Sequence, residues 1–397
     1  MTNRYSKQFI QEFSFPRMAG SEGEKKAQRI IEEELKNLGV KEYQTQEFEY
    51  SWFYMNILLR IYDVITAFLL ISCFLLMVLG VFLLSFITAI ILFFYSLFSR
   101  QIREFLHFKV AELGTTYKSQ NYIVEIPAQQ AQNPKQNIIF LAHYDSISHN
   151  LHPIFSGALY FLGLVGGCIF SIHIIVTVLF NAFSIISSIN YVMLSYGLFL
   201  GVLISIQVFN SRGNESPGTG DNATAVANAF YLIKEIQKTP LINTNFTVVF
   251  TGAEEVGDFG AYNYIKTHYK DLSTQNTFFI IVDTVAVNEK ENLYFYGQGY
   301  PKQVFSPYLK GNIEKVLSEN KKYKEKFNKV YIPPLIAYST DHAPLKPFGY
   351  EFIIFGSNGR IHSELDNMNH FHQEMMKNFN EFSLDLLREV DKTQLSL

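Results

Sequence analysis

The stretch 245–255, NFTVVFTGAEE, is an apolar β-run that ends at two adjacent glutamates, Glu254 and Glu255. Two carboxylates are too costly to bury unpaired, so their place at the end of a buried strand asks for a cation. Successive side chains at a strand end point in different directions. One glutamate can therefore bind a metal while its neighbour moves protons, a division of labour common in metallohydrolases. Taken alone, the pair reads equally well as a solvated acidic turn, so the other strand ends decide.

The run NIIFL leads into AHYDS, where His143 and Asp145 lie two apart and share a face. His143 can then ligate through one ring nitrogen while Asp145 accepts a hydrogen bond from the other, or Asp145 can ligate directly. SPGTGDNATAVA sets Asp221 at the mouth of a helix after a Pro-Gly-Gly loop, where a plain N-cap is the competing reading. Asp283 ends the apolar strand TFFIIVD, and His362 follows the strand EFIIF in RIHSELDN. With Asp221, Glu255 and Asp283 ionised, two divalent cations and one bridging hydroxide make a near-neutral cluster. Oxygen and imidazole donors without thiolate suit zinc, with cobalt or manganese possible. The two cysteines, Cys73 and Cys168, fall in hydrophobic runs, which leaves neither a disulfide framework nor a thiolate zinc site.

The elements that must position these groups alternate between strand and helix. Strands are predicted at 137–141, 246–250, 278–282 and 351–355, and helices at 221–236, 260–268 and 369–390. An earlier helix starts at Ser21, which forms a capping box with Glu24, carries the stripe Ala27, Ile30, Ile31, Leu35, Leu38, and stops at Gly39. KEYQTQEFEY alternates like an edge strand. The sum is an α/β three-layer sandwich with a mostly parallel mixed sheet, a class in which functional groups gather at the carboxyl ends of strands.

Two segments do not fit a soluble sandwich. The chain has 397 residues and a formal charge of -3, which gives no sign of a nucleic-acid partner, but Phe 37 and Tyr 24 against 17% charged residues point to a membrane protein with a soluble part. Residues 64–99 carry no charge, and about 36 residues at about 1.5 Å each exceed one crossing of a roughly 30 Å core. Two helices turning near Gly80 are expected. The run 151–209 has only His152 and His173 as titratable groups, and it divides at the polar segment 181–190 into two more spans. Four transmembrane helices in two hairpins leave every soluble segment on one side. Arg60, Arg100, Arg103, Lys109 and Arg212 flank the soluble ends, so that side is expected to be the cytoplasm. No cleaved secretory signal is expected at the N-terminus. The catalytic α/β domain then comprises 1–52, 100–150 and 210–397, interrupted by hairpins at 53–99 and 151–209.

HYDS, PGTGDNATAVA, EE followed by GDFGAYNY, the strand-ending VD, and IHSELD, in this order, resemble the zinc-dependent exopeptidase family of bacterial leucyl aminopeptidase and aminopeptidase Y. PRMAGSEGEKKAQRIIEEELKNLG is similar to that family's opening helix, and the likeness covers nearly all of the non-membrane chain. It implies two zinc ions, one held by His143 and Asp283, the other by Glu255 and His362, with Asp221 bridging both. Glu254 would be the general base that activates the shared water, and peptides the substrate. STDHAP, with Asp341 and His342, is similar to a family segment near the substrate pocket. Arg360 could receive a substrate carboxylate, as in a carboxypeptidase, or pair with Glu364 or Asp366. A glutaminyl cyclase shares this scaffold with a single zinc, and amidase chemistry or a non-catalytic membrane scaffold are further rivals. The lipid bilayer is the other expected partner; the oligomeric state stays open. The hairpins depart from the family pattern, the second entering between AHYDS and the Gly-Asp-Asn loop.

Overall fold

The computed structural model describes residues 4–110, 113–130, 136–183, 191–296, 305–332, 339–357 and 359–393. It divides into two compact units, one of Met1–Tyr50, Tyr117–Ser148 and Gly213–Leu397, the other of Ser51–Thr116 and His149–Arg212.

The first unit is built on eight strands: β1 (Gln44–Ser51), β2 (Thr116–Ile126), β3 (Gln136–His143), β4 (Thr244–Thr251), β5 (Thr277–Asp283), β6 (Glu291–Tyr296), β7 (Phe327–Ile332) and β8 (Glu351–Gly356). Their order in the sheet is β1-β2-β4-β3-β5-β8-β6-β7. Pairs β4/β3, β3/β5, β5/β8 and β6/β7 are parallel, while β2/β4 and β8/β6 are antiparallel. The KEYQTQEFEY segment is an edge strand, as its alternation predicts.

The central strands are β-branched and aromatic, and they bury both faces. On one face Ile138, Phe140, Phe246, Val248, Phe250, Ile280 and Phe355 meet the helices Glu22–Asn37, Thr224–Lys238 and Gln373–Lys392. On the other, Ile139, Leu141, Val249, Phe279, Ile281 and Ile354 meet Ala261, Tyr264 and Ile265 of the helix Phe259–His268. These are the three layers of the expected sandwich. Ser21 caps its helix by accepting the Glu24 N–H at 3.2 Å, and the Glu24 carboxylate returns to the N–H of Gly20 at 2.6 Å. The predicted helix 221–236 begins later, at Thr224, because Asp221 and Asn222 take non-helical backbone angles. The closing helix likewise starts at Gln373.

Parallel register fixes where the strand ends meet. Thr251 pairs with His143 and Gly356 with Asp283, so the carboxyl ends of β3, β4, β5 and β8 finish at one edge of the sheet.

The second unit is helical. Leu59–Val78 and Phe82–His107 form a hairpin that turns at Gly80, whose φ of 72° is the left-handed conformation glycine adopts freely. Pro153–Phe161 continues through a π-helical turn, Leu162–Gly166, into Gly167–Ala182; Tyr191–Ser205 follows. Among the described residues, three helices are long and apolar enough to cross a membrane, at Tyr54–Val78, Phe82–Ser99 and Ile154–Ala182. The fourth expected span corresponds to the shorter apolar helix Leu194–Phe209. Part of the polar segment expected to separate the last two, 184–190, lies outside the described residues.

Candidate metal centre

Four strand ends and one helix-entry segment bring the predicted residues together. His143 is the last residue of β3 and Asp283 the last of β5. Glu254 and Glu255 follow β4 after the turn Gly252-Ala253, and His362 follows β8. Asp221 precedes the helix Thr224–Lys238 and is joined to Asn222 by a cis peptide. Ala253, Thr284 and His362, at or beside the functional residues, have φ values of 54°, 61° and 56°. Non-glycine residues in this region cost on the order of 1 kcal/mol or more, and they persist where surrounding structure over-determines them.

Asp221 occupies the middle of the cluster. Its Oδ1 lies 3.1 Å from His143 Nε2, and its Oδ2 lies 3.2 Å from His362 Nε2. On one side Asp283 Oδ1 is 3.8 Å and Glu254 Oε2 4.0 Å from His143 Nε2. On the other, Glu255 Oε2 is 3.0 Å from His362 Nε2. Two ligands of a tetrahedral zinc ion with bonds of about 2.0–2.1 Å stand roughly 3.3 Å apart, so most of these spacings are those of donors that converge on a common ion. His143 with Asp221 and Glu255, and His143 with Glu254 and Asp283, each offer donor atoms within 4.8 Å of one another.

The electrostatics carry the same message. Burial disfavours the His143 imidazolium, but Glu254, Asp145, Asp221 and Asp283 outweigh it and raise its pKa well above the ordinary value. His362 is raised likewise, against burial, by Glu255 and Asp221. Burial would push Asp221 up, yet its two imidazole neighbours hold it well below the usual carboxylate range. Glu255 is pushed up to about 7, chiefly by burial, and burial raises Glu254 well above its ordinary value too. Among the described residues, His143 Nε2 and Glu255 Oε1 are buried with no hydrogen-bond partner. A donor set so rich in carboxylate, with unspent buried nitrogen and oxygen atoms, fits divalent cations.

Asp145 stands behind this cluster, fully buried. Its carboxylate is 3.6 Å from His143 Nδ1, the nitrogen facing away from Asp221, and it accepts the N–H groups of Glu254 and Glu255 at 3.1 and 3.2 Å. The Asp145 backbone carbonyl lies 3.3 Å from the same His143 nitrogen, so Asp145 contacts the His143 ring on the side away from Asp221. Asp341 and His342 are also buried. Asp341 accepts the Thr251 hydroxyl at 2.6 Å, and burial raises it to about 7. The His342 ring centroid is 5.0 Å from that of Phe352. Arg360 is exposed. Its suggested partner Asp366 is taken up elsewhere, accepting the N–H groups of Gly220 and Asp221 at 2.7 and 3.0 Å.

Three residues that the sequence reading gave no role in the cluster support the site. Asp366 holds the Asp221 loop. Asp258 accepts the Ser339 hydroxyl at 2.7 Å and is raised to about 6 by burial, with Glu254 as a close neighbour. Arg17, fully buried, donates to the carbonyls of Tyr144 and Gly218 at 2.7 Å, Pro217 at 2.6 Å, Phe15 at 3.2 Å and Phe13 at 3.3 Å. It stitches the loops carrying Asp145 and Asp221 to the N-terminal segment. A charged residue set among aromatic ones in FSFPRMAG was the one local signal for it.

Residues 205–387 match peptidase family M28. The resemblance read from the sequence is borne out by this match, which spans Asp221, Glu254, Glu255, Asp283 and His362. Solved structures share the fold. A zinc aminopeptidase from Bacillus subtilis, BSAP, aligns with TM-score 0.55 at 11% identity over 100% of this chain and 96% of its own. An Acidobacteriales bacterium glutaminyl cyclase gives 0.55 at 12% over 98% and 93%. An aminopeptidase from Aneurinibacillus sp. strain AM-1 gives 0.54 at 13% over 98% and 93%. A comparison with curated proteins finds no match. The M28 segment thus sits on the α/β scaffold that the sequence predicts.

Proposed function

We propose that this M28 chain is a membrane-embedded dinuclear zinc aminopeptidase. The observation that carries the proposal is the division of Asp221 between two imidazoles, one carboxylate oxygen facing each. His143, Asp283 and Asp221 Oδ1 would hold one zinc, and His362, Glu255 and Asp221 Oδ2 the other. Zinc, when bound, polarises a substrate carbonyl and lowers the pKa of water.

The remaining work falls to the chain. Glu254 takes a proton from the attacking water at its carboxylate and delivers it to the nitrogen of the leaving amine. Burial first, then Asp258, Glu255 and Asp283, raise the proton affinity of Glu254, which suits a base. Asp145 fixes the His143 ring and the backbone of Glu254 together, so base and ligand keep one geometry. The catalytic domain is the unit of Met1–Tyr50, Tyr117–Ser148 and Gly213–Leu397, and the apolar helices of the unit Ser51–Thr116 and His149–Arg212 lie in the bilayer. Arg60, Arg103, Lys109 and Arg212 at one end of those helices favour a cytoplasmic catalytic domain.

The test is the metal content of the detergent-purified protein together with hydrolysis of amino-acyl chromogenic substrates, with and without chelator. Two metals per chain and chelator-sensitive release of N-terminal residues are expected. Release confined to C-terminal residues would assign Arg360 as the carboxylate receptor instead. One metal per chain with cyclisation of N-terminal glutamine would replace the peptidase by a cyclase.

A further inference from the structure

Glu254 and Glu255 sit on the turn between β4 and the helix Phe259–His268, and Asp145 holds that turn at their two N–H groups. The ends of the turn are held by a residue of another strand. Asn121 of β2 is fully buried. The antiparallel register of β2 with β4 runs as far as Tyr122 opposite Phe250. Beyond it, the Gly252 N–H donates at 3.2 Å to the side-chain oxygen of Asn121. The Nδ2 of the same amide donates to the carbonyl of Gly260, in the first turn of the helix, at 2.9 Å, and to Gln46 Oε1 of β1 at 2.8 Å. Exchanging the amide oxygen and nitrogen would set an acceptor against two acceptors, so these partners fix its orientation.

The two ends also touch. A Cβ on Gly260 would stand 2.6 Å from the Gly252 carbonyl oxygen and 2.8 Å from its nitrogen. One on Gly252 would stand 2.7 Å from the Tyr144 hydroxyl and 2.8 Å from the Gln120 carbonyl oxygen. Backbone cannot swing aside as the tip of a long side chain can, so this approach requires glycine at both positions. Between the ends, the N–H groups of Gly257 and Asp258 both donate to the Glu254 carbonyl at 2.7 Å, and the Phe259 N–H donates to that of Ala253 at 3.2 Å. The segment 252–260 is thus a closed loop with its own internal bonds, tied at its neck by Asn121.

The partners of Asn121 are two backbone groups and Gln46, none of them a member of the metal cluster. Its effect on chemistry therefore passes through the loop. Asp145 fixes two N–H groups inside that loop, and a loop held there alone would pivot about one carboxylate. Tying the neck removes the pivot. Glu254 has to reach both the attacking water and the leaving nitrogen, and a misplacement of about 1 Å costs about 100-fold in rate.

We infer that Asn121 is a positioning residue for the peptidase reaction: by closing the neck of the loop 252–260 it sets where Glu254 stands relative to the substrate. The inference rests on the reading of Glu254 as the base of a peptidase.

The test is steady-state kinetics of the full, detergent-purified, zinc-loaded chain on an amino-acyl chromogenic substrate. It is paired with the urea unfolding midpoint and with hydrogen exchange of the backbone of 252–260, read by mass spectrometry. Asn121→Leu matches the side-chain volume and withdraws all three hydrogen bonds. Its kcat should fall by about 100-fold at unchanged KM, with faster exchange in the loop. Gly260→Ala keeps the amide but pushes the two ends apart, and it should have the same effect. Gln46→Leu removes the one partner of Asn121 that lies outside the loop; its midpoint should fall while kcat stays. Retained kcat in Asn121→Leu, a kcat loss with unchanged exchange, or an equal kcat loss in Gln46→Leu would each overturn the inference. Should Asn121→Leu fail to fold, Gly260→Ala against Gln46→Leu decides. An unaltered protein without activity removes the peptidase reading and the inference with it, whereas an active unaltered protein with equally active variants removes the inference alone.

Discussion

Asp145 and Glu254, 109 positions apart in the chain, are joined by a 3.1 Å hydrogen bond from the Glu254 N–H to Asp145 Oδ1. Because the other Asp145 oxygen holds Glu255 and the same carboxylate faces His143 Nδ1, one buried acid couples a ligand candidate on each side of the cluster. Asp145→Asn presents an amide donor to one of those N–H groups and loses that tether. Zinc affinity should fall by about 10- to 100-fold, as for other residues that orient metal ligands. Competition against a fluorescent chelator measures it, and an unchanged affinity would contradict the orienting role.

Glu254→Gln keeps size and hydrogen bonding but cannot accept the proton. Turnover should drop by about 100- to 10,000-fold while metal content stays at the level of the unaltered protein. Full activity in this variant would remove Glu254 from the base position, and loss of metal would move it into the ligand set.

Arg17→Met retains bulk but abandons five backbone carbonyls in the interior. Charge-assisted hydrogen bonds contribute about 1.5–3 kcal/mol each and are not additive, so a loss of about 3 kcal/mol or more is expected. The unfolding midpoint in urea reports it. The guanidinium is itself pulled down to about 10, by burial against the attraction of Asp366, Asp221, Asp145 and Glu255, so Arg17→Lys, easier still to discharge, should rescue only in part.

Glu291 provides a pH test away from the cluster. It is fully buried, its Oε1 accepts the Ala286 N–H at 2.6 Å, and burial raises its pKa to about 8. An unfolded glutamate ionises near about 4.3. Between these values the native chain holds a proton that the unfolded chain has released, so this group's contribution is full below about pH 4 and declines up to about pH 8. Glu291→Gln should therefore stabilise the protein relative to the unaltered chain more at pH 8 than at pH 5, by on the order of a few kcal/mol. Urea midpoints of both proteins at the two pH values measure the difference, and a difference independent of pH would refute the shift.

The sequence by itself determined the central strands β3, β4, β5 and β8 and the chemistry of their ends. Apolar, β-branched runs such as TFFIIVD and NFTVVF specify buried strands through local propensity, and an acid or imidazole closing each run is visible as a break in that pattern. The turn at Gly80 and the long charge-free segments were equally local. Tertiary structure decided what the spacing along the chain does not encode. Which oxygen of Asp221 faces His143 and which faces His362, the late start of the helix at Thr224, and the tethers from Asp145, Asp366 and Arg17 all depend on contacts between segments far apart in the chain. Periodicity reports which way a side chain leaves its own strand or helix; only the packed sheet, by bringing the ends of β3, β4, β5 and β8 to one edge, determines what that side chain meets.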